Sequence, residues 1–556
     1  MKVLVIGNGG REHALCRALA SESEVAQVFC SPGNAGIALE DKCVIEHEVI
    51  SPELASTREI DLVVIGPEAP LVAGLADMFQ AASIPVIGPC AEAAQLEGSK
   101  VFAKEFMFKA GIPTASYRRC NSAEQAHRTI DEMSDRLVVK ADGLAAGKGV
   151  FLCAGHDEAH GAVTRIMEDR YFGDAGNEVL LEEFLEGDEA SIIVLTDGKE
   201  YFLFPPARDH KRIGEGDTGP NTGGMGVIAP YPGVDAAMLR RIETEIIRPT
   251  IDTIHLKGWN YRGFLFFGVM ITERGPYVLE YNVRFGDPEA QALLPLLSGK
   301  LSTLLHLTAT GTLAYAVAES NAAILPRSSC TVVAAAPGYP DEYRKNLVIS
   351  DIAAADELSP CYSGVRIREH DLVTDGGRVL SVTGTGLTLA EARERAYTRI
   401  AAISFPGMYY RRDIGGEPIL DGILEESDRF LPQLTKRGGL VPVVVQDVRT
   451  NEVLMVGYAN AEALRHTCRT GKATFYSTSR KALWTKGETS GNRLELVEMR
   501  VDCDQDSVLY RVALHGTGVC HTTNLSGNPR YSCFYRKVIH RDDSDRSVLK
   551  TLDGMQ

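Results

Sequence analysis

The sequence predicts a multidomain chain of α/β and α+β class: an open parallel α/β sheet first, mixed α+β segments next, then a separate, mainly β domain. Three observations carry this reading. Over the first hundred or so residues, apolar strands ending in Gly/Pro loops alternate with helical stretches, the rhythm of an open parallel sheet. From about Ala103 the strands lengthen and the order becomes mixed. After a stretch rich in charge, Gly and Pro, "GLVPVVVQD" restarts a strand pattern.

In order, "VLVIG", "QVFCS", "DLVVIGPEAP" and "IPVIGP" read as the strands of a first domain, residues 1–102. "RLVVKA", "EVLLEEFL", "GFLFFGVMIT" and "PYVLEYNVRF" read as strands of a second, residues 103–322. Residues 323–424 hold strand-like "CTVVAAAPGY" and "GGRVLSVTGTG", then a helical run at "LAEARERAYTRIAAI". The linker region begins near Gly415, with 425–437 as the linker proper, and 438–556 form the last domain with a polar tail. There is no internal repeat and no low-complexity tract.

Composition sets limits on function. With 44% hydrophobic and 24% charged residues in 556, the usage is that of an ordinary globular chain, long enough for about three to five domains. No apolar run approaches the ~18 residues of a membrane span. "KVLVIG" is too short for a secretory signal. Twelve cysteines scattered singly fit a reduced cytoplasm rather than a disulfide framework. A net charge of −16 without a basic block argues against nucleic-acid and anionic-membrane partners. Anionic small substrates remain open, since a site needs only local donors.

"VIGNGGREHA" is a strand, a glycine turn and a helix start, whose bare N–H groups at Gly7, Gly9 and Gly10 suit a substrate phosphate. Glu12 stands where a dinucleotide fingerprint needs its third glycine, and the next strand lacks the ribose-binding acid, so NAD is not expected. "VVKADGLAAGKGVFLC" is a strand carrying Lys140, a loop from Gly143 to Gly149 that includes Gly147, and another strand. Its spacing, and the strand where a helix should follow, exclude a P-loop. Such a loop can instead fold over a triphosphate, with Lys140 and Lys104 of "GSKVFAKEF" neutralising oxygens. In "YVLEYNVRFGDPEAQ", strand alternation puts Glu280, Asn282 and Arg284 on one face. The carboxylate and amide oxygens are hard ligands for Mg2+, and the arginine can clamp an anion.

Together with "GPEAPLVAGLAD" and "DHKRIGEGDTGPNTGGMG", these motifs resemble the ATP-grasp phosphoribosylamine–glycine ligases over about residues 1–424. The resemblance implies an ATP-grasp core, with phosphorylation of the glycine carboxylate by ATP and attack of 5-phosphoribosylamine on the acyl phosphate. Enclosure protects such an intermediate from water. It further implies Lys104, Lys140 and Gly147 at the ATP phosphates, Glu182 with Phe184 and Leu185 at the adenine, and Glu189 at the ribose. Glu280 and Asn282 would hold Mg2+ (or Mn2+), and Asp209 and Arg284 would act on glycine and phosphoribosylamine. The family often has a His-Ala-Gly segment where this chain reads "CYSGV" (Cys361 to Val365), which weakens any role for that loop.

Near the end, "RVDCDQDSVLY" repeats aspartate at every second residue. As a strand it would place Asp502, Asp504 and Asp506 on one face, a hard-oxygen site for Mg2+, and Cys503 on the other, where a softer Zn2+ fits. Downstream lie Cys520, His521 and Cys533. With Cys503 they offer three thiolates and an imidazole, or three thiolates and a water. No C-x-x-C pair exists, so one way to satisfy the geometry is for Cys503 to meet Cys520 and Cys533 of another subunit in a dimer.

"GLVPVVVQD", "VLMVGYANAEAL", "GKATFYSTSRKALWTKGETSGN", "VDCDQDSVLYRV" and "VCHT…SCFYR" resemble the phosphoribosyl-AMP cyclohydrolases over about residues 438–537. The resemblance implies hydrolytic opening of the adenine ring by a zinc-bound water, with the aspartates on Mg2+ and the three cysteines on a zinc shared across a homodimer. Lys486, Thr489 and Ser490 are candidates for a substrate phosphate, and His521 for orienting or deprotonating water. The twelve residues between Cys520 and Cys533 are an insertion relative to most members. No helical pyrophosphohydrolase segment follows Arg536. The expectation is a cytoplasmic bifunctional enzyme of purine and histidine biosynthesis. The alternative is another ATP-grasp ligase whose last domain is a non-catalytic, zinc-dependent dimerisation module.

Overall fold

The computed structural model describes residues 1–143, 149–350, 358–416, 430, 432–434, 439–488, 490–503, 505–524, 526–539 and 548–552. Gly147, Thr489, Asp504 and nine of the thirteen residues of the expected linker lie outside the described residues. The chain divides into two units, Met1–Pro418 and Ile419–Gln556.

In the first unit, five parallel strands are ordered Cys43–Ile45, Gln27–Pro32, Lys2–Gly7, Leu62–Ile65, Val86–Ile87. The order reverses at Lys2–Gly7, so the crevice beyond its carboxyl end is where open α/β sheets take ligands. There the chain turns at Gly7 into the helix Gly10–Ala20, and Glu12 reaches back to accept from the Gly9 N–H at 2.6 Å. Gly7 lies in the left-handed half of backbone space at φ +131°, and a Cβ on Gly7 or Gly66 would collide with the Glu12 side chain.

"CYSGV" packs against this helix. His13 Nδ1 accepts from the Tyr362 N–H (3.0 Å), and Asn34 Nδ2 donates to the Tyr362 carbonyl (3.0 Å). Arg17 donates to the carbonyls of Ser359 and Pro360 at 2.7 and 2.8 Å. The segment that departs from the family pattern thus braces the helix of the glycine turn.

A small antiparallel sheet follows, ordered Tyr117–Cys120, Val179–Glu183, Leu137–Ala141, Val150–Cys153. A second antiparallel sheet holds Tyr201–Leu203, Asp188–Thr196, Gly263–Thr272 and Gly275–Asn282. A third takes Arg208–Asp209 and Gly226–Ala229 from the middle of the chain and pairs them with Ser328–Ala335, Arg378–Gly386 and Cys361–Tyr362. The helix Leu389–Ala401, capped by Thr388, packs on it through Ala392, Ala396 and Ile400.

The second unit is mainly β. Its sheet is ordered Val453–Ala459, Val441–Asp447, Val508–His515, Arg493–Val501, with a parallel pair at its centre. Val441, Val443 and Val445 alternate into a core shared with Phe475 and Tyr510, while Pro442 and Val444 face outward, a period of two. Across the described residues no helix is long and apolar enough to cross a membrane, and all twelve cysteines are free of disulfides.

Candidate functional site

One cavity of about 730 Å3 opens in the first unit, and every described ligase candidate outside the glycine turn lines it: Lys104, Lys140, Glu182, Phe184, Leu185, Glu189, Asp209, Glu280, Asn282 and Arg284. Lys104 rides the helix Lys100–Ala110, which starts where Ser99 Oγ caps the Phe102 N–H and stops at left-handed Gly111. Lys140 comes from the strand Leu137–Ala141, and Glu182 from its antiparallel neighbour. Both ammonium groups meet one oxygen of Glu182, at 2.9 and 3.1 Å. The other oxygen, Oε1, is buried without a hydrogen-bond partner. Lys104 also donates to Thr114 Oγ1 (2.8 Å), and Lys140 to the Leu279 carbonyl (3.1 Å). A register shift along Gly263–Thr272 makes Leu279 the extra residue of its strand, which frees that carbonyl.

Burial pulls the Lys104 ammonium down to about 8, and Glu182 only partly opposes it. The lysine is therefore charged below that pH and neutral above it. The expected result is that kcat/KM for ATP falls as pH rises through about 8, with a steeper fall than in Lys104→Arg, measured by initial rates at varied ATP. Glu182→Gln removes the carboxylate that two buried ammonium groups share. It should cost about 3 kcal/mol of stability, read from the denaturant midpoint of the first unfolding transition.

On the opposite wall, Glu280 and Asn282 project from the strand Gly275–Asn282, while Tyr281, Val283 and Phe285 are buried in the core. Burial works to raise the Glu280 carboxyl, but Lys211, Lys140 and Lys100 hold it below the usual carboxylate range. Lys211 binds Glu189 and stands 3.5 Å from Glu280 Oε1. Burial opposes its charge, and Glu189, Glu280 and Asp209 override that and push the ammonium up. Arg284 Nη2 donates to Asn282 Oδ1 (3.0 Å) and pairs with Glu97 (2.9 Å), and its Nε lies 3.4 Å from Glu68.

Asp209 has one oxygen, Oδ1, buried without a hydrogen-bond partner. Burial, and then repulsion from Glu289, push its carboxyl well up. Glu289 is raised by burial too, and its Oε1 accepts from Ser191 Oγ at 2.9 Å. Gly224 (φ +106°) lets the backbone pass, since a Cβ there would press on Asp209 Oδ1 and Pro288. The two carboxyls thus form a patch of acceptors waiting for a cationic group.

Gly7, Gly9 and Gly10 are not among the lining residues, and the Glu12 carboxylate already takes the Gly9 N–H. Next to that turn, Asp287 accepts from Gln291 Nε2 (3.0 Å) and the Arg11 N–H (3.4 Å), and pairs with Arg378 at 3.3 Å. Lys211, Glu97, Asp287, Glu289 and Arg378 were not singled out from the sequence. The first four fall inside or beside quoted motifs, but their burial, which is the signal, has no sequence signature.

In the second unit the expected strand Arg500–Tyr510 is not formed throughout. The strand Arg493–Val501 ends at Val501, which pairs with Val508, and Asp502, Cys503, Gln505, Asp506 and Ser507 lie outside both strands. Asp502 Oδ1 accepts from the Ser507 N–H (3.0 Å), the Asp502 carbonyl accepts from the Gln505 N–H (3.1 Å), and Gln505 adopts a left-handed φ of +51°. Aspartate prefers such side-chain-to-backbone bonds to a strand ladder, and the turn spares the carboxylates a shared face. The face-sorting of Asp502 and Asp506 against Cys503 is therefore lost, and Cys503 is exposed at the hairpin tip.

Cys520 and Cys533 do come together. The insertion between them is itself a hairpin. Cys520 N donates to the Arg530 carbonyl (3.0 Å), Arg530 N to the Thr522 carbonyl (3.0 Å), and Thr523 bridges Pro529. Cys533 N is anchored on the Leu454 carbonyl at 2.8 Å. The ends of this segment meet, and the two thiols lie near enough to shift each other's ionisation. Burial opposes ionisation of Cys520, but Thr522, whose Oγ1 is 3.0 Å away, Cys533 and Lys486 bring its thiol below the usual range. Burial and Cys520 push Cys533 up to about 11. Lys486 Nζ donates to the Val519 carbonyl at 2.6 Å beside this pair, and His521 and Ser490 are exposed. Among the described residues, no three His, Cys, Asp or Glu side chains converge as a metal-holding group.

Comparison with known proteins accounts for both units. The matching family descriptions are the N domain of phosphoribosylglycinamide synthetase over residues 1–97, its ATP-grasp (A) domain over 98–290 and its C domain over 329–417. Phosphoribosyl-AMP cyclohydrolase matches residues 455–535. A phosphoribosylamine–glycine ligase of Rhizobium meliloti is 46% identical over 75% of this chain and 98% of its own length. That of Chlorobaculum tepidum is also 46% identical, over 75% of this chain and 100% of its own. The crystal structure of the Thermotoga maritima phosphoribosylamine–glycine ligase superposes with a TM-score of 0.65 at 34% identity, covering 74% of this chain and 100% of that one. A biotin carboxylase of Campylobacter jejuni, 14% identical with a TM-score of 0.57 over 74% of this chain and 92% of its own, shares the fold alone. The chain belongs to the phosphoribosylamine–glycine ligase family, with ATP-grasp architecture, and carries a phosphoribosyl-AMP cyclohydrolase domain at its C-terminal side.

Proposed function

We propose that the first unit joins glycine to 5-phosphoribosylamine through a glycyl phosphate, and that the second opens the adenine ring of phosphoribosyl-AMP in a zinc-dependent reaction within a homodimer. The observation that carries the ligase reading is the meeting, in one cavity, of two phosphate-neutralising lysines with an acidic wall and an acceptor patch. Lys104 and Lys140 neutralise the ATP phosphates, giving up part of their hold on Glu182. Phe184 and Leu185 line the end of the cavity that takes the adenine, and Glu189 faces the ribose. The bare Asp209 oxygen and Glu289 accept the glycine ammonium, which removes their mutual repulsion. Arg284, held in place by Glu97 and Glu68, clamps the carboxylate that becomes phosphorylated. Gly7, Gly9 and Gly10, which lie outside the cavity lining, are the candidates for the phosphate of phosphoribosylamine.

The donor set of Glu280 and Asn282 fits Mg2+ (or Mn2+): both oxygens are hard, and Glu280 is ionised by its lysine neighbours. When bound, the ion supplies charge neutralisation across the phosphates. The Cys520–Cys533 pair fits Zn2+, which supplies Lewis acidity and a nucleophile at neutral pH. The exposed Cys503 is the candidate third thiolate, supplied to a second copy of the chain. Asp502, Asp504 and Asp506 are the candidates for a further Mg2+, Lys486, Thr489 and Ser490 for the substrate phosphate, and His521 for the proton. We assign the ligase domains to residues 1–102, 103–322 and 323–424, and the cyclohydrolase to 438–556.

The test uses one preparation of the full chain: ADP release that needs both glycine and phosphoribosylamine, conversion of phosphoribosyl-AMP, metal content and sedimentation. A zinc-loaded dimer that never converts phosphoribosyl-AMP would make the last domain a dimerisation module only.

A further inference from the structure

The small antiparallel sheet of the first unit is covered by two helices, Ala123–Asp131 and His156–Val163. Ala126, Ile130, Ala159 and Val163 fill the space beneath them. At the half-exposed rim, His127 and His160 meet with their Nδ1 atoms 2.7 Å apart and ring centroids 5.0 Å apart. The outward nitrogens face carboxylates. His160 Nε2 is 3.2 Å from Asp131 Oδ1, and His127 Nε2 is 3.8 Å from Glu168 Oε1. None of the four lines the ligase cavity.

A carboxylate beside Nε2 keeps the proton on that nitrogen and leaves the Nδ1 lone pair free. At His160 this turns the lone pair toward His127. Glu168, at 3.8 Å, makes no hydrogen bond to His127, so at 2.7 Å the two facing nitrogens hold either one proton or one cation between them. One proton on His127 Nδ1 is the minimal answer, and a metal dication is the other. Zinc–nitrogen bonds of about 2.0–2.1 Å at a tetrahedral angle set two nitrogens about 3.3 Å apart, so the pair must open by about half an ångström and the two rings, which meet head-on, must swing toward a common centre. Imidazole suits zinc and nickel rather than hard Mg2+.

We propose that His127 and His160 form a two-histidine chelate for a borderline transition-metal dication, with Asp131 and Glu168 as outer partners and water completing the shell. The ion ties together the two helices that cover the small sheet, and is separate from the metals of either active site.

The test is equilibrium dialysis of the full chain against Zn2+, and separately Ni2+, followed by metal counting. The wild-type chain should hold one equivalent more than the H127A/H160A double variant, and Cys520→Ser should keep that equivalent. Equal metal content in wild type and H127A/H160A overturns the site. A measurement on unmodified protein guards against a variant that fails to fold. Zn2+ should protect His127 and His160 from diethyl pyrocarbonate, located by peptide mapping, and identical labelling with and without zinc means that the pair shares a proton only.

Discussion

Glu280→Gln is expected to lower ligase turnover by about 10^3-fold or more while phosphoribosyl-AMP conversion stays near wild type. The substitution keeps shape and one acceptor oxygen, and removes the charge. Three lysines hold Glu280 ionised at its half-buried position in the cavity wall, so its charge is available at neutral pH. Preorganised charge of this kind, aimed at a transferring phosphoryl group, is where enzymes gain most. The fold should survive, because Lys211 keeps Glu189 as a partner. Paired assays on one preparation, with a thermal melt as control, check this. Parallel loss of both activities in a folded variant would contradict the assignment of the two reactions to separate units.

Cys520→Ser is expected to lower cyclohydrolase activity more than about 100-fold, with loss of zinc from that site and unchanged ligase rates. Losing an outer partner of a metal ligand already costs about 10- to 100-fold, and a ligand itself more. Cys520 is the member of its pair whose thiol is brought below the usual range, because Thr522, Cys533 and Lys486 outweigh burial. A serine of the same shape offers a hard oxygen that zinc prefers less. Full activity with zinc retained would sever the link between this pair and the chemistry.

The sequence made the glycine-ended parallel strands legible because strand, turn and helix are local there. It also pointed to Glu280, Asn282 and Arg284, since alternation along a strand sorts polar from apolar side chains within a few residues, to Lys140 as a cation inside an apolar strand, and to Lys104 through "GSKVFAKEF". Two kinds of feature were hidden. Glu182 as the shared partner of two lysines, and Glu289 beside Asp209, depend on packing between distant segments. The turn at Asp502–Ser507 was hidden because alternation suggests a strand, and the side-chain capping that wins there appears only when both hairpin arms are in register. The spacing from Cys520 to Cys533 reads in the sequence only as an insertion relative to most members of the resembled family. Folded as a hairpin, it closes on itself and leaves the pair intact.

The third sheet of the first unit draws Arg208–Asp209 and Gly226–Ala229 onto Ser328–Ala335. A chain cut near residue 322 would strand these short segments with a raw backbone edge and no neighbour to zip against. The strand that presents Asp209 would go slack along with them. The ligase half is thus a single weave rather than a string of beads, and it cannot be pared down to a minimal nucleotide-handling fragment.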